Sequence, residues 1–468
     1  MNKIHLLLCL TCLLFVPIVS QATHIYSGHI SYTVDPQNPL RYNFVLTISA
    51  FAHSPADEPY TIMAMGDGNT VRVERNIPII RTSRHYTTQT FSWTYTYETI
   101  GNYLVQWTSE NRNGGIINIG GISDQVSLNI YTRVKVGATP QNLNGAKLAG
   151  SPIIDAFVGE PWIHNLLAYD ADGDYLMYKL VTPRHKNQAG QTDEIPNYTR
   201  PVGLTINEFG ELHWPSPVQK GQYVIAVLIT EMRDGREVGS MLVDFTMNVL
   251  ERSSLPTISI INKDRLTINA DGSIQTWPGQ PVKLEFYLRE NADSDLPLTA
   301  NAFGEIDTLQ LVASSLSYRD TLGGFAVTYT FTPSANLERT EPYLMGMRAR
   351  QLNRESNSSF SRDVEFDWAF AYFYIGEQRR PLSSGDNLFP ERPKLYPNPT
   401  RGEFTIEAPD LPGLHLLVRD ITGKVVASYT LRPGRNNFIR PAKLASGLYT
   451  YTLTSQLSPI ETGKLVLQ

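Results

Sequence analysis

The chain has 468 residues, of which 41% are hydrophobic and 18% charged, with a formal net charge of −5 at pH 7. That length exceeds what one hydrophobic core normally fills, so three or four domains are expected. So small a charge over this length makes no field that would hold nucleic acid or another polyanion.

Residues 1–22 have the form of a signal peptide. Lys3 is the basic start, Leu6 to Val19 the mostly apolar run, and Ser20-Gln21-Ala22 the small-residue site, with cleavage expected after Ala22. The run is too short to span a bilayer and no later stretch is long enough, so no membrane insertion is expected. Cys9 and Cys12 both lie in this leader. The chain after cleavage therefore has no disulfide, thiolate nucleophile or cysteine-ligated metal. Lipidation at Cys12 is disfavoured, because Leu10-Thr11 precedes it where small residues are needed. Threonine, tyrosine, valine, glycine and proline are plentiful and long charged helical periodicity is missing, which predicts an all-β protein.

The first expected β unit covers residues 23–136. Tyr42, Phe44, Leu46 and Ile48 alternate with polar residues, as a strand with one buried face requires. Gly66-Asp67-Gly68-Asn69 reads as a turn. Phe91, Trp93, Tyr95 and Tyr97 share one face and are expected in the core, ahead of Gly101-Asn102-Tyr103-Leu104-Val105. This order resembles the PKD-type immunoglobulin-like domain of bacterial surface proteins.

Residues 137–251 form the second unit. Asp170-Ala171-Asp172-Gly173-Asp174 precedes a strand at Tyr175, Gly210-Glu211-Leu212-His213-Trp214 follows, and Gly221-Gln222-Tyr223 opens a run apolar on both faces through Ile229. Such a run predicts a central strand. The segment resembles bacterial cadherin-like immunoglobulin repeats.

In the third unit, residues 252–380, periodicity alone is the guide. Val282, Leu284, Phe286 and Leu288 alternate with polar residues, and Phe325, Val327, Tyr329 and Phe331 do the same. Residues 381–394 have the composition of a linker.

The last unit, residues 395–468, carries an ordered set of short motifs: Tyr396-Pro397-Asn398-Pro399 with Gly402, then Gly423-Lys424, Gly447-Leu448-Tyr449 and Gly463-Lys464. The set resembles the type A C-terminal sorting domain of Bacteroidetes type IX secretion cargo. The resemblance implies passage through the periplasm and recognition by the type IX secretion machinery. It further implies either release or attachment to surface lipopolysaccharide, with transport as the role of the motif residues. Fold class is thus tandem immunoglobulin-like β-sandwich domains plus a small C-terminal β-sandwich sorting domain.

One cluster has the chemistry of a cation site. Asp170, Asp172 and Asp174 alternate around Gly173, which lets three carboxylates converge in one tight loop, with Glu160 or Asp234 as further oxygens if their loops meet it. Calcium is the cation such a set would take. The alternative is an ordinary solvated aspartate turn, and the twelfth-position glutamate of an EF-hand is absent, Val181 standing there. No His-Glu-x-x-His helix and no Gly-x-Ser-x-Gly elbow occurs. The expected function is noncatalytic adhesion, matrix building or binding of an extracellular polysaccharide or protein ligand. The competing expectation is a secreted hydrolase with carboxylates distant in sequence, a pair that needs no local motif.

Overall fold

The computed structural model describes residues 25–52, 59–81, 86–138, 141–150, 155–251, 256–289, 298–353, 363–376, 395–400, 402–408, 414–420, 425–432, 434–440, 444–455 and 458–468. The expected leader, the 381–394 linker, and Gly423 with Lys424 lie outside these residues. Strands dominate, and the chain divides into two compact units, Met1–Gln378 and Arg379–Gln468.

Within the first unit, alternation becomes burial. Tyr42, Phe44, Leu46 and Ile48 of the Asn38–Phe51 strand are buried, and so are Phe91 and Trp93 of the neighbouring Tyr86–Thr96 strand. Phe44 and Trp93 stack at 5.2 Å. Tyr97 is buried as well, while Tyr95 is half-buried and donates its hydroxyl to Asp67 Oδ2 at 2.6 Å. These aromatics fill the sandwich interior.

The first two expected segments are not independent sheets. Strand Arg236–Leu250 runs antiparallel to Gly221–Arg233 along its length and also pairs with Ile25–Asp35, through Ser27↔Phe245 and Gly28↔Asp244. It meets Asn129–Val136 as well, through Ser240↔Arg133. Residues 239–247 of this strand are all buried, which is what strand neighbours on both sides and packing on both faces require. Gly221–Arg233 is likewise central, lying between Tyr175–Val181 and Arg236–Leu250. Asp234 and Gly235 close its hairpin with φ of 51° and 72°, the pair of positive dihedrals that a type I′ turn demands.

The third core is a sandwich of two four-stranded sheets. Val282, Leu284, Phe286 and Leu288 lie beside Val327, Tyr329 and Phe331 of the paired neighbouring strand in one buried cluster, with Phe325 at its margin. It joins the second core through Leu167 and Phe209 packed on Leu344, Trp368 and Tyr372. Phe209 and Tyr372 stack at 4.5 Å, and the Tyr372 hydroxyl donates to Glu211.

Each core contains a tyrosine whose hydroxyl turns back onto its own incoming chain. Tyr103 donates to Thr99 O, Tyr223 to Gln219 O and Tyr343 to Leu337 O, each at 3.0 Å, and in the second unit Tyr449 donates to Ala445 O at 2.9 Å. Three of the four follow a Gly-x-Tyr triplet. The bond pins the crossing segment to the start of a core strand, a form of tyrosine corner. Replacing Tyr223 by phenylalanine keeps the ring and removes the bond, so a loss of about 1 kcal/mol is expected in urea unfolding.

The second unit has sheets Leu395–Tyr396, Glu403–Ala408, Gly434–Ile439 and Val425–Thr430, Leu414–Arg419, Gly447–Ser455, Ser458–Leu467. Phe404, Ile406, Leu414, Leu416, Val418, Tyr451 and Leu453 form its core.

Candidate functional site

The aspartate turn connects the short strand Ala168–Tyr169 to Tyr175–Val181. Asp170 Oδ1 accepts the Asp172 N–H at 2.8 Å and the Asp174 N–H at 3.2 Å, while Gly173 takes φ 81°. That local bonding shapes the loop and brings one carboxylate oxygen of each aspartate within 4.8 Å of the others. Glu160 and Asp234 do not belong to this group.

What does meet the turn is the connection at 141–146 and the end of the Gly221–Arg233 strand. Asp172 Oδ2 accepts the N–H of Leu143 at 2.6 Å and of Asn144 at 3.1 Å, and Asp172 Oδ1 accepts Asn144 Nδ2. Arg233 forks onto Asp174, Nε to Oδ1 at 2.6 Å and Nη2 to Oδ2 at 2.7 Å. Asp170 Oδ2 is buried with no donor.

Glu231, two residues before Arg233 on the same strand, is fully buried. Its Oε1 accepts the Ala146 N–H at 3.1 Å and its Oε2 accepts the Asn142 amide. Burial pushes its carboxyl up to about 8, opposed by the Ala146 bond and reinforced by the Asp170 charge. Burial likewise pushes Asp170 up to about 7, against the stabilising N–H of Asp174.

A second polar cluster lies under the strand shared by the first two cores. The guanidinium of Arg112 and the carboxylate of Asp244 are almost wholly buried and meet side by side, Nη1 to Oδ1 at 2.8 Å and Nη2 to Oδ2 at 2.6 Å. Nε donates to Ser127 O and Nη2 also to Arg184 O, both at 3.2 Å. Sequence reasoning passed over Arg112, Asp244, Glu231 and Arg233. A signal was available for Asp244, since a lone aspartate inside Met241-Leu242-Val243-Asp244-Phe245 needs a buried partner.

In the second unit the motif residues bring the two ends of the domain together. Tyr396 pairs with Thr405 and donates its hydroxyl to Glu407 at 2.8 Å. Asn398, between Pro397 and Pro399, accepts the Val466 N–H at 2.9 Å, and Gln468 N–H donates to Thr400 O at 2.8 Å. Gly402 O accepts Arg440 N–H, and Gly447, Leu448 and Tyr449 run antiparallel to Leu467, Val466 and Leu465. Gly463 and Lys464 pair with Tyr451 and Thr450.

Residues 394–468 match the family model described as a secretion system C-terminal sorting domain. No curated protein matches the chain. Among solved structures, Sidekick-1 immunoglobulin domains 1–4 are similar at 10% identity and TM-score 0.16, over 90% of this chain and 93% of that one. Sidekick-1 immunoglobulin domains 1–5 align at 11% identity and TM-score 0.14, over 95% and 80%. The human Desmocollin-1 ectodomain aligns at 12% identity and TM-score 0.18, over 87% and 74%. At these scores no common placement of domains follows.

Proposed function

We propose that this chain, a type IX secretion cargo by its C-terminal sorting domain, is a noncatalytic adhesive or matrix protein that presents its β-sandwich loops to an extracellular polysaccharide or a protein ligand. The observation that supports this reading is the way the first unit is fastened. A shared strand, a buried ion pair and an aromatic joint hold three cores as one body, which fixes the loops of each core relative to those of the others. Surface retention through lipopolysaccharide belongs to the same reading, as one fate of the exported chain.

Deleting residues 394–468 is expected to leave the cargo in the periplasm, while the full chain is digested by protease added to intact cells. Purified mature protein is then screened for binding to polysaccharides and surface proteins, and for turnover of carbohydrate and peptide substrates. Saturable binding without turnover supports the proposal. Turnover that is lost on replacing a carboxylate, with the fold retained, overturns it in favour of a hydrolase.

A further inference from the structure

Five oxygens surround the guanidinium of Arg233. Nε donates to Asp174 Oδ1 at 2.6 Å and Nη1 to Gln141 O at 3.0 Å. Nη2 faces Asp174 Oδ2 at 2.7 Å, with Asn142 Oδ1 and Asp172 Oδ2 each at 3.3 Å. Carboxylate, amide and main-chain carbonyl oxygens gathered in one shell are the donor set a hard divalent cation takes. Here a side chain of the same polypeptide fills that shell.

The other carboxylate oxygens leave little for an ion. Asp172 Oδ1 holds the Asn144 amide and Asp170 Oδ1 holds two backbone N–H groups, so Asp170 Oδ2 alone has no donor. Calcium takes about six to eight oxygens. With Arg233 seated, the set does not fit it.

The strand register puts the arginine there. Tyr175 pairs with Met232, so the end of the Gly221–Arg233 strand lies beside the aspartate turn, and the hairpin at Asp234-Gly235 stops Arg233 from travelling further. The connection it grips is held on its other side by the first core. Val34 N–H donates to Leu143 O at 2.7 Å, Gly145 N–H to Tyr32 O at 3.0 Å, and Asn142 Nδ2 to the Tyr32 hydroxyl at 2.9 Å.

We infer that Arg233 is a built-in cation: its guanidinium occupies the oxygen cage formed by Asp172, Asp174, Gln141 and Asn142, and locks the 141–146 connection between the first two cores without calcium. A planar fork suits this place better than a spherical ion, because its donors point at separate oxygens and need no dehydrated coordination shell.

The test is hydrogen exchange of the peptide covering residues 141–146 in the full mature chain, in EDTA and in CaCl2, alongside calorimetric titration with CaCl2. In the wild type, exchange is expected to be the same in both buffers and the titration to show no saturable uptake. Arg233→Ala is expected to speed exchange about tenfold in EDTA, the scale set by losing charge-assisted hydrogen bonds. CaCl2 is expected to slow it again, since the vacated oxygens then accept the ion. Arg233→Gln serves if the alanine variant fails to fold. Saturable calcium uptake at this loop by the wild type overturns the inference. So does unchanged exchange in the folded variant, or a variant whose exchange calcium leaves as fast as before.

Discussion

Replacing Arg112 by alanine is expected to destabilise the first unit by about 3–5 kcal/mol, the range for removing one partner of a buried ion pair. Asp244 is the reason. It has no exposed surface, and both of its oxygens are bonded to the guanidinium. Without Arg112 a charge would remain inside the strand that the first two cores share, so it must take up a proton or draw in water. The carbonyls of Ser127 and Arg184 lose their donor at the same time. Urea unfolding monitored by tryptophan fluorescence checks the size of the effect. The double replacement Arg112→Met with Asp244→Leu should recover most of the loss, because two apolar groups of similar volume leave no charge to solvate. If the single variant unfolds at the wild-type midpoint, the pair is not what holds the 109–128 loop to the second core.

The stability contributed by Glu231 is also expected to fall as pH rises from about 5 to about 8, by a few kcal/mol, since each tenfold difference in proton affinity between the folded and unfolded chain is worth about 1.4 kcal/mol, while His29, pushed down to about 4 by burial, acts in the opposite direction below about 6.5. The sign follows from Glu231. Its folded-state value, about 8, stands above the ordinary 4.5 of an unfolded glutamate because burial penalises the carboxylate. The folded chain therefore keeps a proton that the unfolded chain has released. The contribution is fully present below about 4.5 and is lost as pH climbs through about 8. Asp170, raised to about 7 by burial, acts in the same direction over an overlapping window. Glu231→Gln copies the protonated acid, so its melting temperature should vary less between about pH 5 and about pH 8 than that of the wild type. A wild type and a Glu231→Gln variant with the same pH dependence across this window would show that the carboxyl is solvated in the native state.

Period-two alternation in Asn38–Phe51, Val282–Arg289 and Gly324–Phe331 could be read directly, because one face of each strand meets a core and the other meets water. The strand Gly434–Ile439 escapes such reading. It is an edge strand with mostly polar side chains, and what identifies it is its pairing with Glu403–Ala408, which places Phe438 beside Phe404. The sheet shared by the first two cores was equally hidden. Nothing near Ser27 or Gly28 announces Phe245 and Asp244 as neighbours, since the contact spans more than two hundred positions. The candidate site shows the same division. Convergence of Asp170, Asp172 and Asp174 follows from spacing and one glycine, whereas the seat of Arg233 depends on the register between two strands that sequence leaves open.

The recurring tyrosine corner bears on how an export receptor tells address from cargo. Gly447-Leu448-Tyr449 is built like Gly101-Asn102-Tyr103 and Gly221-Gln222-Tyr223, with each hydroxyl spent on the chain behind it. A feature present in the parcel as well as on the label conveys no destination. What the cargo cores do not repeat is the seam where Asn398 and Thr400 close on Val466 and Gln468. That seam needs residues 466–468, so a chain cut short before them is expected to stay in the periplasm, and finding such a chain at the cell surface would show that the seam is not the address.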